Sequence, residues 1–119
     1  MFFSAKTEAD IDKLIIDGVD INKQDTLFGQ TFLHVLIQTD SSLLDHFLKK
    51  GPNTNIQNKD GKTPIYYCKN ILAVEKLIKH GASMLIKDIN GKTVNEINSK
   101  IMADFMTHYI NKLKNRIVA

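Results

Sequence analysis

The chain matches itself. Its segment FFSAKTEADIDKLIIDG (Phe2–Gly18) aligns without a gap on IYYCKNILAVEKLIKHG (Ile65–Gly81). Lys6 falls on Lys69, and Lys13-Leu14-Ile15 falls on Lys76-Leu77-Ile78. A related segment, SLLDHFLKKG, ends at Gly51. The three closing glycines, Gly18, Gly51 and Gly81, are 33 and then 30 residues apart. Each opens a similar stretch: GVDIN at 18–22, GPNTN at 51–55 and GASML at 81–85. Each unit then brings a second glycine with threonine two residues on, at Gly29/Thr31, Gly61/Thr63 and Gly91/Thr93. Self-similarity at this period marks stacked supersecondary units. One such unit cannot bury its apolar face alone, so the repeat forces a solenoid.

The order within a unit follows from its residues. Threonine ahead of a helical run can cap it through the hydroxyl, and proline suits the first helical position. A short helix is expected next, then a turn, then an amphipathic helix such as AVEKLIKH with Val74, Leu77 and Ile78 on one face. Gly81 stands where a left-handed C-cap is wanted. The extended segment beyond it should reverse at a glycine turn, Asp60-Gly61 or Asn90-Gly91.

The unit resembles the ankyrin repeat, whose signature is D-x-x-G-x-T-P-L-H near the helix start and G-A-D-x-N at the helix end. DGKTPIYY, GQTFLHVL and NGKTVNEI supply the first part, and GVDIN, GPNTN and GASML the second. The resemblance implies an all-α ankyrin-repeat solenoid of helix-turn-helix units joined by short β-hairpin turns. It would be a single domain over 1–119, with about four units near 1–22, 23–55, 56–85 and 86–119. The departures carry expectations too. The second unit has one extra residue in its turn, Asp25-Thr26-Leu27-Phe28-Gly29. The third is about three residues short between Thr63 and Gly81, so its first helix should be abbreviated. The fourth has lost the proline and histidine, and Leu85 replaces the usual asparagine.

Both ends should be modified as caps. Met1 falls where the helix-start proline belongs, so the first unit lacks its hairpin; the start is either a natural cap or a cut from a longer protein. The end, SKIMADFMTHYINKLKNRIVA, reads as a long helix. Ile101, Phe105, Tyr109 and Leu113 form its stripe, widened by Met102, Met106 and Ile110, with Lys112, Lys114 and Arg116 on a polar outer face.

Several chemistries lack the residues they need. Gly61-Lys62-Thr63 and Gly91-Lys92-Thr93 look like the end of a phosphate loop, but the glycine required five residues earlier is Ile56 or Ile86. No nucleotide or other cofactor is expected. His34, His46, His80 and His108 form no zinc-binding spacing. His34 matches the signature histidine, which the resemblance implies bonds backbone between units. Cys68 falls on Ala5 in the alignment and reads as a packed small residue; as the lone cysteine it excludes an internal disulfide. Asp10, Asp12, Asp17 and Asp20 are spread along helix and turn rather than paired for acid–base work. Catalysis is therefore not expected in this chain. No apolar run approaches the roughly 18 residues of a membrane span, and the start has no signal-peptide pattern. A cytosolic location is expected.

Protein recognition is what remains. Ankyrin proteins usually bind partners with hairpin tips and first helices. Carried over by position, these are Thr26, Leu27, Phe28 and Gln30; Lys59, Asp60 and Lys62; Ile89, Asn90 and Lys92; then Val35, Gln38, Thr39, Tyr67 and Lys69. Leu27-Phe28 is the most informative pair: either Phe28 is an exposed anchor at the enlarged turn or it folds back onto its own unit. Tyr66 is expected packed and Tyr67 exposed.

Lysine outnumbers arginine 15 to 1 and asparagine and isoleucine abound, a usage that suggests an A/T-rich source such as a virus or an intracellular bacterium. The chain also resembles the C-terminal ankyrin domain of OspC-like bacterial type III effectors. That resemblance implies recruitment of a host signalling protein such as an inflammatory caspase, and secretion into the host cytosol. A viral host adaptor fits the same features. Charge offers a rival: residues 1–60 carry −3 and residues 61–119 carry +6, and a basic half could bind nucleic acid. Its lysines are spread over turns and helices without a nucleic-acid module.

Overall fold

A computed structural model describes residues 2–39 and 42–118. Four helical pairs follow one another. The first is a single 3-10 turn, Phe2–Ser4, with α1 (Glu8–Ile16). The second is α2 (Phe32–Thr39) with α3 (Leu44–Lys49). The third is a 3-10 turn, Pro64–Tyr67, with α4 (Ile71–Lys79), and the fourth is α5 (Val94–Ile97) with α6 (Ser99–Val118). The expected solenoid of helix pairs is what the chain forms. The abbreviated first helix of the third unit is also present, as one turn opened by Pro64 at its first position.

Local signals start and stop these helices. The Thr7 hydroxyl accepts from the Asp10 N–H at 3.1 Å, and the Asp10 carboxylate accepts from the Thr7 N–H at 3.1 Å. This reciprocal box leaves few orphan donors at the start of α1. Asn70 caps α4 by accepting from the Ala73 N–H at 2.9 Å. The expected β-hairpins are reduced to closed turns, and the described residues contain no strand. In the third unit Asn58 N–H donates to the Lys62 carbonyl and Gly61 N–H to the Asn58 carbonyl, each at 2.9 Å. Gly61 has φ +74, and a Cβ there would lie 2.6 Å from the Ile89 nitrogen. Only glycine lets neighbouring turns approach so closely.

The core runs along the stack. At its head Phe2, Phe32 and Phe47 form an aromatic cluster with centroids 5.1 to 5.9 Å apart. Ile11, Leu33, Leu48, Ile65, Val74, Leu77 and Val94 continue it, and Met102 and Phe105 close it. Cys68 is buried there as a small apolar residue. The closing helix departs from expectation. Its stripe is buried only as far as Phe105; Tyr109 stacks on the Phe105 ring at 6.1 Å but is exposed, as are Ile110 and Leu113. The reason is length. At about 1.5 Å per residue, nine-residue α4 spans about 14 Å and twenty-residue α6 about 30 Å, so α6 outruns the neighbour it packs on.

Candidate functional site

One side chain organises each turn. The Asp25 carboxylate accepts from the N–H groups of Leu27 (2.9 Å), Phe28 (2.6 Å), Gly29 (3.1 Å) and Gln30 (3.3 Å). These bonds, that from Phe28 foremost, hold its carboxyl below the usual carboxylate range. Asn58 does the same with two bonds, accepting from Asp60 and Lys62 at 3.0 Å each. Asp88 accepts from Asn90 and Lys92 at 2.9 Å each. The extra residue of the second unit therefore widens the turn without loosening it.

The widened turn throws its apolar pair outward. Leu27 is 70% exposed and Phe28 61%, so Phe28 does not fold back. The Phe28 carbonyl accepts from the Lys59 N–H, and the Asp60 carbonyl from the Ile89 N–H, each at 2.9 Å. The three tips thus form one ridge. Gln24 spans two turn mouths, donating to the carbonyls of Gly29 (2.9 Å) and Gln57 (3.0 Å). Gln57, 33 residues on, repeats this with Gly61 (2.9 Å) and Lys87 (3.1 Å).

The expected contact residues divide between ridge and interior. Thr26, Leu27, Phe28, Lys59, Asp60, Ile89, Asn90 and Lys92 are exposed at the tips, and Thr39 and Lys69 are exposed behind them. Gln30, Val35, Gln38, Lys62 and Tyr67 are half-buried. Gln38 donates to the His34 carbonyl at 3.2 Å. Gln30 accepts from Asn58 at 3.1 Å, so both side chains serve the fold. Tyr67 needs correction. Its hydroxyl accepts from Asn58 Nδ2 at 2.8 Å and its ring sits 6.1 Å from that of His34, edge on. The ring packs between units instead of presenting itself. Tyr66 is buried, as expected.

Behind the ridge lie the seams between units. Thr31 N–H donates to His34 Nδ1 at 3.1 Å, which makes that nitrogen an acceptor and puts the proton on Nε2. Nε2 donates to the Lys62 carbonyl at 2.9 Å, the expected inter-unit bond. Burial, the main cause, holds the His34 pKa below its ordinary value, so the ring is neutral. At the next seam Tyr66 takes this position. Its hydroxyl is shared between the carbonyls of Ile86 (2.5 Å) and Lys92 (2.8 Å). Thr63, expected as a cap, has a buried hydroxyl with no partner among the described residues, because residue 66 offers no ring nitrogen to it.

The Gly-Lys-Thr triplets are accounted for here. The Lys62 and Lys92 carbonyls receive the seam bonds, and Thr63 is buried. Burial pushes the Cys68 thiol up to about 12, which leaves it inert as a nucleophile at neutral pH. Exposed apolar residues also escaped the sequence reading, among them Ile16, Leu72 and Ile117. Ile16 falls on Lys79 in the internal alignment, a solvent position, so a signal existed; Leu72 carried none.

A family model of ankyrin repeats in three copies matches residues 1–93. An ankyrin repeat protein of Rickettsia felis is 37% identical over 87 residues, covering 63% of this chain and 38% of that protein. One from Fowlpox virus is 34% identical over 83 residues, covering 66% of this chain and 24% of its own. The chain thus spans well under half the length of both relatives. Among solved structures, the ankyrin repeat domain of Bcl-3, a member of the IkappaB family, superposes with a TM-score of 0.70. It covers 82% of this chain and 45% of that one at 21% identity, a likeness of fold alone.

Proposed function

On the premise that the chain belongs to the ankyrin-repeat family, we propose that it is a protein-binding module whose partner docks on the turn ridge at Leu27, Phe28 and Ile89. Ankyrin repeats generally mediate protein–protein interaction and are typically non-enzymatic. One observation carries the choice of surface: two large apolar side chains stand exposed at the tip of a turn that Asp25 holds rigid. A rigid apolar anchor loses little entropy on binding. Lys59, Asp60 and Lys92 rim it and supply charge that selects the partner.

The relatives from Rickettsia felis and Fowlpox virus support a setting in which the partner is a host protein. Recruitment for an effector in the host cytosol, or adaptor function for a virus, belongs to the same proposal. An OspC-like origin and a caspase partner draw no support from these relatives. Nucleic-acid binding is less favoured, because Lys76, Lys79, Lys100 and Lys112 of the basic half are already paired with carboxylates.

Cross-linked capture from host-cell lysate tests the reading. The wild-type chain should retain a partner that Leu27→Ala/Phe28→Ala loses with unchanged far-UV circular dichroism. Equal capture by both would remove the ridge from consideration.

A further inference from the structure

The overhanging end of α6 carries a pattern that the solenoid does not use. Met106, Ile110, Leu113 and Ile117 are spaced four, three and four residues apart, and Ala103 precedes them by three. That is a heptad seam: Ala103, Ile110 and Ile117 at a, Met106 and Leu113 at d. Ile110 is 45% exposed and Ile117 81%. Ala103 and Met106 border a groove with Met84 and Asn95, and beyond them Ile110, Leu113 and Ile117 are exposed off the stack, because the face toward the solenoid is taken by other residues. Phe105 packs in the core, and Lys112, one heptad later at the same position, reaches Glu75 on α4 at 3.2 Å.

Charge selects the occupant. Residues 105–117 of the helix hold Lys112, Lys114 and Arg116 and no acidic residue. Lys114 and Arg116 lie at e and g, the positions that choose coiled-coil partners; neither forms an ion pair among the described residues, and Arg116 also borders the groove beside Glu75 and Lys79 of α4. A second copy laid parallel would bring two sets of these cations together without an anion. A membrane surface calls for a broad apolar face, whereas this seam has two apolar positions per heptad, widened only by Tyr109 at one g position.

We propose that the free half of α6 binds an amphipathic helix of a partner protein, with apolar a and d positions and glutamate or aspartate at e and g. The helix is already formed by its packing near Met102 and Phe105, so the partner need not order it. This surface is independent of the turn ridge and stands whether or not the ridge binds.

A labelled synthetic helix with isoleucine at a, leucine at d and glutamate at e and g is the probe, read by fluorescence anisotropy on the whole chain. The acidic helix should bind, and a matched helix with lysine at e and g should bind about tenfold or more weakly. Ile110→Asp/Leu113→Asp should abolish binding without moving the melting temperature, since both side chains are solvent-facing. Lys114→Glu/Arg116→Glu should reverse the preference in favour of the lysine helix. Leu27→Ala/Phe28→Ala should leave it unchanged. Equal binding of the two helices, or none, overturns the proposal. So does sedimentation as a dimer that Ile110→Asp/Leu113→Asp disperses, or phosphatidylserine vesicles binding where the acidic helix does not.

Discussion

The His34 seam and the Tyr66 seam join neighbouring units at the same place with different chemistry. Each delivers a proton from the first helical turn of one unit to a lysine carbonyl in the next turn, Lys62 in one case and Lys92 in the other. His34 also engages Thr31 in its own unit, at 2.9 Å from the hydroxyl. Tyr66 reaches further, to Ile86 as well, and abandons Thr63. A ring with two nitrogens ties its own turn and the next. A phenol with one oxygen spends everything on the next unit. The lesson is that the stack conserves a bond at the seam without conserving the residue that makes it.

The largest expected effect comes from breaking the two-sided seam. His34→Ala empties a fully buried site and strands the Lys62 carbonyl and the Thr31 N–H. A loss of about 3 kcal/mol is expected in urea unfolding. Tyr66→Phe keeps the ring and removes only the hydroxyl, so about 1–2 kcal/mol should go. If the two cost the same, neither the emptied site nor the Thr31 bond adds to stability at the His34 seam.

A third measurement separates the seams by pH. His34 has its pKa lowered by burial, so the unfolded chain takes up the proton first. Its contribution is full above the unfolded value of about 6.5 and falls as pH drops below it. Tyr66 has its pKa raised, first by burial, and so loses stability only as pH rises past about 10. The slope of wild-type stability between pH 7 and 5 should exceed that of His34→Gln, by up to about 1.4 kcal/mol per pH unit. A slope unchanged by the substitution would assign acid sensitivity elsewhere.

The smallest effect is the sharpest contrast. Thr63→Val replaces a buried hydroxyl that has no partner among the described residues, and should be neutral or stabilise by up to about 1 kcal/mol. Thr31→Val at the matching position removes bonds to His34 and should cost about 1 kcal/mol. Thermal melts of the pair would decide it; equal losses would refute the difference between seams.

The period, the closing glycines and the shortened third unit were legible, because spacing and backbone chemistry are written locally. His34 was placed through the resemblance. Tyr67 was misjudged because its partner, Asn58, lies in a turn that also has a structural task of its own. The overhang of α6 was missed because no single helix announces the length of its neighbour. Phe28 was undecided until the four bonds of Asp25 fixed the turn's direction. The asparagine rungs show the same limit: Asn22 accepts from the Asn53 N–H and Asn55 from the Ser83 N–H, each at 2.8 Å, while Leu85 can make no such bond.

Gln24 and Gln57 clasp the mouths of the turns and leave the tips alone. Lengthening a tip therefore costs the stack nothing that the clasps do not already secure. The second turn has taken that freedom, with one residue more than the third and its stacking bonds intact. Specificity in such a chain can drift by insertion at the tips while the architecture stays under separate selection at the mouths.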